Sequence, residues 1–196
     1  MQETMQDTWF RFIRNIEEEE QDLSKSKLWS FIYEASSTAA AAVFVIFILF
    51  TFVFRAVGVV GNSMLPTLSN GDWLLVMPSS TVSRGDVIVS TEPNKLDKSI
   101  VKRVIAIEGD VVNIDFYLNQ VSVNGQVLDE KYISEPIAAK GDVEFPLTVP
   151  AGKVFVLGDN RNDSTDSRWE AVGCVDVDYI LGTAEFKILP KPQKIN

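Results

Sequence analysis

The chain contains no histidine and one cysteine in 196 residues. The first absence removes the side chain that most often serves as a general base near neutral pH, and the commonest metal ligand. It excludes a Ser-His-Asp triad and a Cys-His pair. The second excludes an intramolecular disulfide and any cysteine-rich zinc site. Cys174 lies in VGCVDV, a strand-like run, and reads as a buried filler. Positive charge is also short: 18 Lys and Arg face 27 Asp and Glu, a net charge of -9. No basic stripe exists to neutralise phosphates, so no nucleic-acid partner is expected. The acidity reads as solubility. Neither a metal nor a cofactor is expected.

What is present begins with an uncharged run. Ala35 to Phe54 reads ASSTAAAAVFVIFILFTFVF, long enough as a helix to cross the roughly 30 Å hydrocarbon layer of a bilayer. No polar face interrupts it from Ala39 to Phe54, as one would in a core helix. A cleaved signal peptide fits badly. The preceding region is long and acidic, and FRAVG offers no small-x-small site at the expected place. The expectation is an uncleaved single-pass anchor in the lipid bilayer of the cell membrane. Lys25 and Lys27 before the run, against Arg55 after it, tip the N-terminus slightly toward the cytoplasm. Residues 1–34 form a tail in which Trp9, Phe12, Ile13 and Ile16 recur at helical spacing. That tail reads either as a small interfacial helix or as a solvated segment. Leu28, Trp29, Phe31 and Tyr33 are expected at headgroup level.

After Arg55 the grammar changes. Short β-rich runs recur between turn residues: AVGVVG, WLLVM, DVIVS, SIVKRVIAI, DVVNI, QVSVNGQVL, KVFVLGD and AEFKIL. Asn124-Gly125 between alternating stretches is a strong hairpin signal. The expectation is three regions: the tail 1–34, the anchor 35–54, and a mainly β domain of antiparallel sheets over 55–196.

Just past the anchor, GNSMLPTL carries Ser63 on a turn. A serine hydroxyl needs a partner to take its proton, and without histidine that partner is a carboxylate, a lysine or a tyrosine. Lysine qualifies only where apolar surroundings disfavour its charge. SIVKRVIAI offers such a place. In a strand, Lys102 shares a face with Ile100, Val104 and Ala106, and Arg103 shares the other with Val101, Ile105 and Ile107. Arginine stays charged, so Lys102 is the candidate base. From pattern alone, an edge strand whose lysine snorkels to water is the competing reading.

Three boxes in order, GNSMLPTL, IVKRVIAIEGDVV and GDNRNDSTDSR, resemble those of bacterial type I signal peptidases, in a Gram-positive-like form; RGDVIV and VNGQVL add to the match. The resemblance covers the anchor and the segment from Val57 to Leu189. It implies a membrane-bound serine endopeptidase that removes signal peptides from exported preproteins after small-x-small sites, near the export translocon. Ser63 is then the nucleophile and Lys102 a neutral general base. Ser164 would orient the Lys102 amine by a hydrogen bond, and Asp159, Asp166 and Arg168 would brace the third box. The Ser63 N–H would donate to the oxyanion. Some members carry a second donor, a hydroxyl residue two positions before the nucleophile, where this chain has Gly61. Shallow pockets for small side chains would be lined by Val57, Val59, Met64, Leu68, Ile100 and Val101. Two rival readings exist: a self-cleaving Ser/Lys repressor-like protease, and an inactive tethered β-domain that binds export partners. The anchor speaks against the first, and the presence of both Ser63 and Lys102 against the second. Arg84-Gly85-Asp86 reads as a turn before a strand rather than an adhesion motif. Asn162-Asp163-Ser164 fits a glycosylation pattern by chance.

Overall fold

Between Met5 and Phe52 no Gly or Pro interrupts the chain, and in the computed structural model these residues form one helix, α1 (Met5–Phe52). The structure describes residues 5–52, 54–79, 81–91 and 98–195. The first four residues of the expected tail, and Val53 of the expected anchor, lie outside the described residues. The tail is therefore no separate short helix at 9–16: it is continuous with the apolar run. Within α1, Lys25–Leu49 is long and apolar enough to cross a membrane. Hydroxyls there donate to carbonyls one turn back, Ser36 to Tyr33 and Thr38 to Glu34, so their polarity is satisfied inside the helix.

The chain divides into two units after Phe50. The second is built of strands β1 (Arg55–Gly58), β2 (Trp73–Met77), β3 (Val87–Ser90), β4 (Ile100–Ile107), β5 (Val111–Asp115) and β6 (Gln120–Val123). It continues with β7 (Gln126–Val127), β8 (Leu147–Thr148), β9 (Lys153–Leu157), β10 (Val175–Asp176), β11 (Ile180–Leu189) and β12 (Gln193–Lys194). The larger sheet runs β1-β2-β11-β3-β4-β9-β10, with β12 paired to β11, and the smaller runs β7-β6-β5-β8. The pairings are antiparallel. This is the mainly β, antiparallel architecture that the recurring β-rich runs predict. The β6–β7 hairpin turns at Asn124 and Gly125 with φ of 53° and 79°, the left-handed pair that Asn-Gly supplies at least cost.

β4 lies between β3 and β9 and is buried on both faces. Its strict alternation fails, because a bulge in the β4–β9 pairing falls between Val104 and Ala106. An extra residue in one strand flips the side chains beyond it. Ile105 and Ala106 consequently enter the same cluster, with Val112, Val123 and Phe155 beneath the smaller sheet. Val104 instead joins Ile100, Ile88 and Val156. Cys174 precedes β10 rather than lying in a strand, and it is half-buried against the first of these clusters.

Candidate active site

The serine loop hangs between β1 and β2. Its neck is closed by Val59 N–H to the Asp72 carbonyl at 2.8 Å and Gly71 N–H to the Val59 carbonyl at 2.9 Å. Leu68 N–H closes a turn on the Met64 carbonyl at 2.8 Å. Met64 and Leu68 are buried with Val59, Leu74 and Val76. Apolar residues on both sides of Ser63 thus pin the loop to the core while Ser63 itself stays half-exposed. Gly61 has φ of +96°, a region open to glycine and strained for serine. Its N–H donates to Asn70 Oδ1 at 2.9 Å, so that group is already committed.

The third box clasps this loop from the other side. Asn160 donates twice, its N–H to the Ser63 carbonyl at 3.0 Å and its Nδ2 to the Asn62 carbonyl at 3.1 Å. Thr67 Oγ1 donates to Asp159 Oδ2 at 2.5 Å. A side chain on Gly158 would collide with the Ser63 carbonyl and with Ser164, so glycine is required by close approach there.

Two buried ion pairs hold the clasp. Arg103 donates through Nε and Nη2 to both oxygens of Asp159, at 2.8 and 2.7 Å, and stacks 4.1 Å over the Tyr132 ring. Arg168 donates to both oxygens of Asp166 at 2.8 Å and through Nη1 to the Ala139 carbonyl at 2.6 Å. Asp166 also receives the Gly158 N–H at 3.0 Å. Asp159, Asp166 and Arg168 are each 0% exposed. A buried charge is tolerable only when paired and fully hydrogen-bonded, as here.

Lys102 meets Ser63 in the middle of this frame. Its Nζ lies 2.6 Å from Ser63 Oγ and donates to it. The side chain is 4% exposed, so it does not snorkel. Burial, the largest cause, brings its pKa down to about 8; Asp166 pulls the other way, and Lys98 and Arg168 add to the lowering. At that value most copies still hold the proton at pH 7, and roughly a tenth are neutral. Deprotonated, the same contact runs in reverse, with the serine O–H donating to the amine.

A cleft of about 550 Å³ opens over the pair. Of the six residues expected to line it, Val57, Val59, Met64, Ile100 and Val101 do. Leu68 does not: it is 0% exposed inside the core, turned away when its backbone closes on Met64. Ser164 lines the cleft beside Ser63 and Lys102, but its buried Oγ has no hydrogen-bond partner. The expected bond to the Lys102 amine is not formed: among the described residues that amine's hydrogen bond is to Ser63.

Several site residues escaped the sequence reading. Arg103 was visible only as a cation among apolar neighbours; its partner Asp159 is 56 residues away. Thr67, Asn160 and Val89, which also lines the cleft, gave no signal of their own. The adhesion-like tripeptide is structural: Arg84 pairs with Asp110, and Asp86 accepts the Ser83 N–H at 2.8 Å. Asn162 accepts the Ala138 N–H at 2.9 Å.

The family model described as signal peptidase, peptidase S26, matches residues 32–189. The chain belongs to that family. It is 32% identical to the signal peptidase I of Bacillus licheniformis, over 81% of this chain and 89% of that one. It is 36% identical to a probable signal peptidase I-1 of Synechocystis, over 83% and 85% respectively. Signal peptidase I S of Bacillus subtilis is 34% identical, over 87% and 94%. As a member of the family, the chain is a signal-peptide-cleaving serine peptidase, and its preprotein substrates are signal-peptide-bearing chains. The α1 span fits single-pass attachment to a membrane. The repressor-like and inactive readings are not favoured.

Proposed function

We propose that Ser63 and Lys102 perform the cleavage. The 2.6 Å contact between a buried amine and a serine hydroxyl carries this reading. Lys102 Nζ, neutral, takes the Ser63 proton as Oγ bonds to the scissile carbonyl carbon. The carbonyl oxygen becomes an oxyanion facing the Ser63 N–H, a group of the kind that contributes a large share of acyl-transfer catalysis. The C–N bond then breaks, and the new amine leaves with the proton from Lys102. Water attacks the resulting ester while Lys102 takes its proton. The C–Oγ bond breaks, the proton returns to Ser63, and the signal peptide departs as a carboxylic acid that gives its proton to water. A substrate filling the cleft displaces water and lowers the amine's proton affinity further.

Asp159 and Asp166, with Arg103 and Arg168, act by fixing the third box against the serine loop. Ser164 supplies a polar atom beside the dyad, available when the amine turns from Ser63. Val57, Val59, Met64, Ile100 and Val101 form the shallow apolar walls for small side chains, and an extended peptide can lie against them. Residues 1–34 form the cytoplasmic tail, 35–54 the anchor, and 55–196 the extracytoplasmic peptidase domain, close to the translocon. Few residues separate the anchor from Ser63: nine steps from Phe54 reach at most about 30 Å.

The test is preprotein processing by purified variants in detergent. Ser63→Ala and Lys102→Arg should each abolish cleavage while the circular dichroism spectrum stays unchanged. Normal processing by Ser63→Ala would end the assignment.

A further inference from the structure

Outside the cleft, one aromatic ring meets two buried cations. Tyr132 is half-buried in the loop between β7 and β8. The Arg103 Cζ lies 4.1 Å from its ring centroid and the Arg161 Cζ 5.7 Å from it. Both arginines are 1% exposed, and like charges repel most strongly where water is absent. Each has a carboxylate partner, Asp159 for Arg103 and Glu130 for Arg161, both at 2.7 Å. Arg161 Nη2 is nevertheless buried without a hydrogen-bond partner. The face of an aromatic ring attracts a cation within about 6 Å, and more so once the cation is desolvated. The Tyr132 ring thus offsets what the carboxylates leave uncompensated.

The phenol is itself tied down: its O–H donates to Glu130 Oε1 at 3.2 Å, the oxygen that also accepts from Arg161 Nη1. Burial first, and then the charge on Glu130, push its pKa up to about 12. The ring therefore stays neutral through the range in which Lys102 titrates.

The two cations belong to different parts of the site. Arg103 follows Lys102 in β4 and holds Asp159, which accepts from Thr67 in the serine loop. Arg161 belongs to the third box. Its Nε donates to the Gly158 carbonyl at 3.0 Å, and Gly158 packs against the Ser63 carbonyl. Tyr132 is the shared neighbour of the strand that carries the base and the box that touches the nucleophile.

Resting on the dyad assignment, we propose that Tyr132 is a positioning residue for the reaction: the face of its ring holds Arg103 and Arg161 together, and so keeps Lys102 and Ser63 at the spacing that proton transfer needs. Tyr132 does not line the cleft, so its loss lowers kcat and leaves KM in place.

The experiment measures kcat and KM for the full chain in neutral detergent on a preprotein peptide, with circular dichroism at the assay temperature. Three replacements separate the causes. Tyr132→Phe keeps the ring and loses the bond to Glu130. Tyr132→Leu loses the ring. A trifluorinated phenylalanine placed at position 132 by nonsense suppression keeps the ring's shape but empties its face of electron density. Tyr132→Phe should hold kcat within about twofold of wild type, because the face is retained. The leucine and fluorinated variants should each lose about tenfold in kcat, a displacement smaller than the 1 Å that costs about 100-fold. Their KM should stay within about threefold. Space-filling alone would not separate the fluorinated ring from Tyr132→Phe. A folded Tyr132→Leu with kcat within twofold of wild type overturns the proposal, as does a fluorinated variant equal to Tyr132→Phe. Should Tyr132→Leu fail to fold, the two ring variants decide the question by themselves. Ser63→Ala is run in parallel: persistent cleavage there would fault the dyad, a result separable from the ranking at position 132.

Discussion

At the scale of the residue, the decisive property is where a lysine keeps its proton. Lys102 is buried, and its pKa falls from 10.5 to about 8. The unfolded chain therefore binds more protons than the folded one between those values, so folded stability rises with pH across that window. Below it, the protein carries a buried charge at a cost of about 3 kcal/mol. Lys102→Met removes that charge with similar bulk. It is expected to abolish cleavage yet stabilise the fold at pH 7, with the advantage over wild type shrinking by about 3 kcal/mol by pH 11. Chemical denaturation at both pH values measures this, and an advantage independent of pH would contradict it. Asp159 illustrates the opposite case. Truncating it strands the Arg103 guanidinium in the core, and Asp159→Ala is expected to cost about 3–5 kcal/mol in the same assay. The apolar faces of its strand made Lys102 a candidate, but the resemblance of the three boxes, not the pattern, chose it over a lysine that snorkels to water. The sequence hid the pairing with Asp159, because an ion pair across 56 residues leaves no local pattern.

At the scale of the element, two loops and one strand must meet within a bond length of tolerance. β4 presents Lys102, the β1–β2 loop presents Ser63, and the third box ties them together through Asn160 and Thr67. Gly158 is the point of closest approach. Gly158→Ala would push a methyl group against the Ser63 carbonyl and Ser164, and a displacement near 1 Å costs on the order of 100-fold in rate. We expect that loss in kcat with no comparable fall in the denaturation midpoint; full activity in the variant would show that the clasp is not required. The β-rich runs and the Asn-Gly hairpin were readable, since period and turn chemistry are local. The bulge in β4 was not: it arises from the register with β9, so the flip of Ala106 is invisible in β4 alone. Leu68 was misread for a related reason. Adjacent to the serine in sequence and apolar, it serves the core rather than the cleft.

At the scale of the whole molecule, a helix unit and a β unit divide the work. The 48 residues of α1 make a rod of about 72 Å, more than twice the hydrocarbon thickness. The uncharged run 35–54 pointed to an apolar helix, and within α1 it is Lys25–Leu49 that is long and apolar enough to cross a membrane. The polar helix before it was not legible as one piece with it, because its charges and sparse aromatics also suit a solvated tail. Two aspartates in the apolar run, Val43→Asp and Phe47→Asp, should cost about 2.5–3.5 kcal/mol each on insertion. They are expected to release the protein from membranes on carbonate extraction, while wild type stays in the pellet. Retention of the double variant would contradict the anchor.

The amine at the centre of the site is tested most directly by the pH dependence of kcat/KM for the full chain on a preprotein peptide. A base with a lowered pKa gives activity that climbs as pH rises through it. The account predicts a single ascending limb with a midpoint near 8; a profile flat from pH 5 to 9 would contradict it.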